Sequence, residues 1–167
     1  SPMAIPGTVG VAYTADGLEH GERGSPSSQA ADHFAQLDKR RRKLEAWDYG
    51  DGWADLEGDP AAPLAIVTFG SCTGPVREAL ARVAADGFTA RLVSLRLLAP
   101  LPAARLTAAL DGASRVLVIE QNHSAQLYKY LRGECDLPGR VGSLHRAGAL
   151  QFHPDEIHRH LLEWSRA

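Results

Sequence analysis

Apolar and polar positions divide this chain in two. From Leu64 onward, short apolar runs alternate with stretches whose apolar residues recur at helical spacing. Leu64–Phe69, Ala90–Leu95 and Arg115–Ile119 each read as a strand, and their near-continuous apolar character predicts burial on both faces. Val76–Ala85 reads as a helix, with Pro75 suited to its first position and Gly87 closing it. Pro102–Leu110 is a second helix, opened by Pro and closed by Gly112. A helix around Gln126–Leu131 follows the third strand. Val141–Leu144 reads as a shorter strand. Pro154–Trp164 is a last helix with Ile157, Leu161 and Leu162 on one side. Strand and helix alternate four times, with connections suited only to crossovers. The expected fold is a three-layer α/β/α unit with a mostly parallel sheet over residues 64–167.

Residues 1–60 read differently. They are rich in Gly, Pro, Ser and charge and poor in apolar runs, as an irregular arm is. One stretch, from about Ser28 to Trp47, has helical spacing. Its apolar residues Phe34, Leu37, Leu44 and Trp47 fit one helix face. Ser27 or Ser28 is placed to cap its start, and Tyr49-Gly50-Asp51-Gly52 ends it with turn chemistry. Asp59-Pro60-Ala61-Ala62-Pro63 reads as a short linker.

The 167 residues suit one domain with an arm, and 44% hydrophobic residues supply a core. The net charge of −2 gives no overall attraction to nucleic acid or to an anionic membrane. No apolar run approaches the ~20 residues of a membrane-spanning helix. Two cysteines, Cys72 and Cys135, make neither a disulfide framework nor an iron–sulfur pattern. The start, Ser1-Pro2-Met3-Ala4-Ile5-Pro6-Gly7, has no signal-peptide pattern and reads as mid-protein loop. A cytoplasmic piece of a longer polypeptide is the expectation.

The candidate chemistry gathers at strand ends. Val116-Leu117-Val118-Ile119 breaks at once into Glu120-Gln121-Asn122-His123. In an open α/β sheet, ligands and partners meet the carboxyl ends of the strands. Together with Thr73, Arg96, His145 and Arg146, these four predict a polar rim facing a ligand or a subunit. The alternative is capping of the following helix, with Asn122 as the cap. Gly70-Ser71-Cys72-Thr73-Gly74 lies between a strand and a helix start, where backbone N–H groups hold anions. It is neither GxGxxG nor a P-loop, and a plain tight turn explains it as well. Cys72 beside that helix start is a candidate low-pKa thiol, or a small buried residue.

Three further features carry less. Gly50-Asp51-Gly52 resembles the start of a metal-diphosphate motif. That motif needs an Asn some 25–30 residues on, and the single Asn, Asn122, is far outside that range. His153, His158 and His160 do not share one helix face, which argues against zinc. Lys39-Arg40-Arg41-Arg42-Lys43 is flanked by Asp38, Glu45 and Asp48, and reads as a solvated or interfacial helix face rather than a nucleic-acid patch. The segment Thr14–Gly24 packs Asp16, Glu19, His20, Glu22 and Arg23 between glycines, and reads either as a partner-contacting arm or as a surface loop.

Several of these pieces in series resemble the 2-oxoacid:ferredoxin oxidoreductase family. They are SPMAIPG, YTADGLEHGERGSPSS, QLDKRRRKLE, GSCTGPVREAL, VSLRLLAPLP and VIEQNHSAQLYKYLR. The resemblance is to the C-terminal part of the alpha subunit of 2-oxoglutarate-type enzymes and runs from Ser1 to about Leu162. Family members often have Gly where Ala125 stands, Arg where Met3 stands, and a Pro-Gly-type turn near Ala147-Gly148-Ala149.

The resemblance implies that residues from about Leu64 form a transketolase C-terminal-like domain. Residues 1–60 would then be the end of a thiamine-pyrimidine domain and the connection to it. It implies oxidative decarboxylation of a 2-oxoacid to acyl-CoA, with thiamine diphosphate, Mg²⁺ and iron–sulfur clusters in the whole complex and electrons passed to ferredoxin. It implies a beta subunit as partner, a homo- or hetero-oligomer, and coenzyme A as a visitor. No cofactor is expected on this chain, whose expected role is domain packing and subunit assembly without turnover of its own. Two other assignments stay open: a nucleotide- or anion-binding module using Gly70–Gly74, and the equivalent domain of a transketolase-like or branched-chain dehydrogenase beta subunit.

Overall fold

The computed structural model describes residues 5–11 and 17–166. Two compact units follow one another along the chain, dividing between Asp48 and Tyr49. Asp16 and Met3 lie outside the described residues.

Among the described residues of the first unit, α1 (Ala30–Glu45) is the one helix. Its expected serine cap is not formed. Gln29 stands at the N-cap position without a capping side chain. Ser27 instead donates its hydroxyl to Asp32 and accepts the Gln29 N–H. A second carboxylate, Glu19, receives both guanidinium nitrogens of Arg40 at 2.8 Å, tying the loop to the helix.

The second unit is a five-stranded sheet between two layers of helices. In chain order it contains β1 (Ala54–Gly58), β2 (Leu64–Phe69), α2 (Thr73–Ala85), β3 (Ala90–Leu95), α3 (Ala103–Ala109), β4 (Arg115–Glu120), α4 (Gln126–Glu134), β5 (Arg140–His145) and α5 (Pro154–Arg166). Across the sheet the strands run β1-β3-β2-β4-β5. All neighbours are parallel except β1, which lies antiparallel on β3.

Strand alternation sorts the core into two halves. Ala65, Val67, Val93, Leu95, Val116 and Val118 face α3 and α4, against Leu106, Leu127 and Leu131. Ile66, Leu92, Leu117 and Ile119 face α2 and α5, against Val76, Val83, Ile157 and Leu161. Both faces of the central strands are covered, which is why these runs lack polar alternation. Among the described residues, no helix is long and apolar enough to cross a membrane.

Two features depart from the sequence expectation. The α/β unit begins at Tyr49 and includes β1, whose residues read as part of the arm. Its sequence Ala-Asp-Leu-Glu-Gly has one large apolar residue, Leu56, and that residue is exposed. Backbone pairing with β3 holds β1, and the buried Trp53 anchors it by accepting the N–H groups of Arg96 and Leu97. Pro75 is not the first residue of α2, which starts at Thr73. It lies within the first turn, where its missing N–H still costs nothing.

At the amino-terminal edge of the sheet, the buried Arg91 donates to the carbonyls of Pro60, Leu110 and Asp111. It joins the 59–63 linker to the end of α3 without a carboxylate partner.

Candidate functional site

Strand order fixes where a site can lie. β2 is central: α2 leaves it on one face of the sheet, while α4 leaves its neighbour β4 on the other. The crevice opens where consecutive connections diverge, beyond the carboxyl ends of β2 and β4. The segments that end there are Gly70–Thr73 and Glu120–His123, the two singled out above.

The chain's own backbone takes up most of their polar groups. Glu120 is fully buried and does not face a rim. Its carboxylate accepts the N–H of Leu127 at 2.6 Å and of Tyr128 at 2.9 Å, and also the side-chain amide of Asn122. A carboxylate there answers the free donors and positive dipole end of α4. Asn122 accepts the N–H groups of Ser124 and Gln126, both at 3.1 Å. Gln121 donates its amide to the carbonyls of Gly148 and Leu150, pinning the loop before α5. Thr73 shares a 2.7 Å hydrogen bond with Ser94 of β3. The capping alternative is therefore the geometry observed, with Glu120 added to it.

His123 alone of the four is exposed. With Ser124, Ala125, Tyr128, Lys129, Ser143 and His145 it lines an open depression of about 460 Å³. Ala125 turns the chain into α4 at φ 51°, the only residue other than glycine with positive φ among those described. A Cβ is disfavoured in that conformation.

Arg96 stands apart. It is exposed and pairs with Asp55 of β1 at 3.4 Å. Arg146 is held by Glu156 at 2.8 Å and lies over the Phe152 ring. Cys72 is buried behind the Gly70–Gly74 turn, and burial pushes its thiol pKa up. That environment suits packing rather than nucleophilic work. His158 bonds Asp86 at 2.6 Å, and His153 lies 3.3 Å from Asp155. Among the described residues, no group of three or more His, Cys, Asp or Glu is placed to hold a metal ion.

In the first unit, Glu19 is bound to Arg40, while His20, Glu22 and Arg23 are exposed. Glu19 has its pKa held down to about 2 by the Arg40 guanidinium and the His20 backbone N–H. A lowered carboxylate pKa contributes stability above the unfolded value, and that contribution disappears as pH falls through the folded one. The Glu19–Arg40 tie should thus persist down to about pH 2. An NMR titration of the Glu19 carboxyl should give a midpoint there, returning toward 4.5 in Arg40→Gln. A midpoint near 4.5 in the unaltered chain would show that the pair does not form in solution.

Comparison with known proteins bears on the family and the fold. Residues 62–157, more than half of the chain, match the family described as pyruvate:ferredoxin oxidoreductase core domain II. The chain is 34% identical over 140 residues to 2-oxoacid:ferredoxin oxidoreductase 2, subunit alpha, of Aeropyrum pernix, covering 82% of this chain and 22% of that protein. It is 33% identical over 161 residues to the 2-oxoglutarate oxidoreductase subunit KorA of Mycobacterium tuberculosis, covering 94% and 23%. The solved 2-oxoglutarate:ferredoxin oxidoreductase of Magnetococcus marinus, with 2-oxoglutarate, coenzyme A and succinyl-CoA bound, superposes with a TM-score of 0.78 at 33% identity, covering 98% of this chain and 28% of that one. The chain thus spans between about a fifth and a quarter of the length of these two curated relatives. With its α/β/α sheet and internally bonded carboxyl edge, it belongs to the pyruvate:ferredoxin oxidoreductase core domain II family, as part of a 2-oxoacid:ferredoxin oxidoreductase alpha subunit.

Proposed function

We propose that this chain is a packing and assembly unit of an enzyme that oxidatively decarboxylates a 2-oxoacid to acyl-CoA and reduces ferredoxin. The observation that carries the non-catalytic part is the state of the carboxyl edge. Glu120, Gln121, Asn122 and Thr73 are engaged with the chain's own groups, and Cys72 is buried with a raised pKa. Ser143 and His145 share a 3.0 Å hydrogen bond on β5, at the depression rather than at the ends of β2 and β4.

The substrate reading favours 2-oxoglutarate. The relatives named for it in M. tuberculosis and M. marinus align along nearly the whole chain. Thiamine diphosphate, Mg²⁺, iron–sulfur clusters and coenzyme A belong, in this reading, to the complete enzyme and its beta subunit. The donors here do not fit a metal centre of that kind. Cys72 packs in the core on the α2 side of the sheet and Cys135 against the core on the α4 side, so the two cannot share a cluster. The first unit is read as the end of the preceding thiamine-pyrimidine domain and its connection. A cytoplasmic setting follows from the same reading.

The test compares the complete enzyme with the 167-residue chain in coenzyme-A-dependent ferredoxin reduction. Turnover is expected from the complete enzyme, faster with 2-oxoglutarate than with pyruvate. None is expected from the chain alone. Turnover by the isolated chain would overturn the non-catalytic role, and a complete enzyme faster on pyruvate would overturn the substrate.

A further inference from the structure

The depression at the carboxyl ends of β4 and β5 is built from three segments. The loop after β4 supplies His123 and Ser124, α4 supplies Tyr128 and Lys129, and β5 supplies Ser143 and His145. No Asp or Glu lines it. His123, Lys129 and His145 are exposed. Arg77, Arg82, Arg96 and Arg146 of the same unit are ion-paired. Lys129 has no such partner among the described residues.

The donors that remain are those of side chains. Glu120 and Asn122 accept the N–H groups of Gln126, Leu127 and Tyr128, so the first turn of α4 is already satisfied. Glu120 itself is buried and does not line the depression. His145 shares Nδ1 with the Ser143 hydroxyl at 3.0 Å. When that hydroxyl donates, Nε2 keeps the hydrogen and is a donor. An ammonium, two imidazoles and hydroxyls around a concave surface without a carboxylate are a donor set for a phosphate group. The volume of about 460 Å³ is that of sites for small organic ligands and exceeds the need of a bare phosphate. The Tyr128 ring and the Ala125 methyl give the remainder an apolar wall. The Gly70–Gly74 turn offers an anion less, since Thr73 is bonded to Ser94 and Cys72 is buried.

We propose that this depression binds a phosphorylated organic molecule of nucleotide size. Lys129, His123 and His145 hold its phosphate, and its ring lies against Tyr128. Binding needs no turnover, so the site stands apart from the enzymatic and assembly readings.

Calorimetric titration of the complete enzyme, free of substrate and coenzyme A, with AMP tests it. Lys129→Ala should weaken AMP binding at least about fivefold, the loss of one charge-assisted contact at an exposed site. His123→Ala with His145→Ala should weaken it by about the same factor. Lys129→Arg, which keeps the charge, should retain it. Adenosine, without the phosphate, and inorganic phosphate, without the ring, should each bind at least about tenfold more weakly than AMP. Added salt should weaken AMP and leave adenosine unchanged. Ser71→Ala, in the Gly70–Gly74 turn, should change nothing. Melting temperatures should be the same for all variants. Absence of AMP binding, equal affinity for AMP and adenosine, or AMP binding untouched by the Lys129 and histidine variants would each overturn the proposal. The last, with a loss in Ser71→Ala, would move the anion to the turn. An enzyme that binds AMP as described and fails to reduce ferredoxin counts against the enzymatic reading alone.

Discussion

Glu120→Ala is expected to destabilise the α/β unit by about 3–5 kcal/mol, a large part of the stability of a domain this size. The carboxylate is fully buried and holds three donors: the N–H groups of Leu127 and Tyr128 and the amide of Asn122. Truncation leaves these donors without their acceptor and opens a void on the α4 side of the sheet. Glu120→Gln keeps the volume but offers one acceptor oxygen where two are used, and should cost about 2 kcal/mol. Asn122→Ala removes the part-exposed turn bonds to Ser124 and Gln126 and one of the three donors to Glu120, and should cost about 1 kcal/mol. Urea unfolding followed by far-UV circular dichroism gives the order directly. A Glu120→Ala chain as stable as the unaltered one would mean that the carboxylate does not cap α4. The rim reading of Glu120 would then return.

Gly139→Ala should be nearly as damaging, about 3 kcal/mol or more. Gly139 has φ +65°, a conformation that side chains disfavour, and a Cβ there would overlap the Ser114 carbonyl and lie 2.9 Å from that of Ala113. These are backbone atoms, so nothing can rotate away. Ser114 also anchors its surroundings: it accepts the N–H of Arg140 at 2.9 Å, while its own N–H and that of Arg115 reach the Pro63 carbonyl at 3.0 Å. Moving it would disturb the starts of β2, β4 and β5 together. Gly133→Ala is the control. It lies in ordinary helical conformation with nothing within 4 Å of a Cβ, and should stabilise by up to about 1 kcal/mol. Equal melting temperatures for the two variants would remove the steric argument.

The exposed carboxyl edge of an α/β sheet is commonly where a domain of this kind acts. Here that edge is bonded to the chain's own groups. Gln121 pins the loop before α5, Thr73 meets Ser94, and Glu120 with Asn122 starts α4. A rigid edge suits a unit that holds neighbouring parts in place. The depression beside His123 and His145 is a place along it where the loop after β4, α4 and β5 open outward.

Sequence by itself determined the parallel core, the helices between the strands and the family. Strands buried on both faces cannot carry polar alternation, and helices against a sheet must repeat their apolar residues at helical spacing, so both patterns are written locally. It also located the Glu120–His123 break and the apolar line of α1. Tertiary structure decided what is set by partners distant along the chain. β1 has almost no apolar signal and exists because β3 offers it an edge. Arg91 looks like a surface cation, yet it is buried on three carbonyls that come from the linker and the end of α3. Glu120 has the composition of a rim residue, and only the return of α4 over the strand end turns it into a cap. A side chain's type fixes which bonds it can make, but the fold decides which groups arrive to make them.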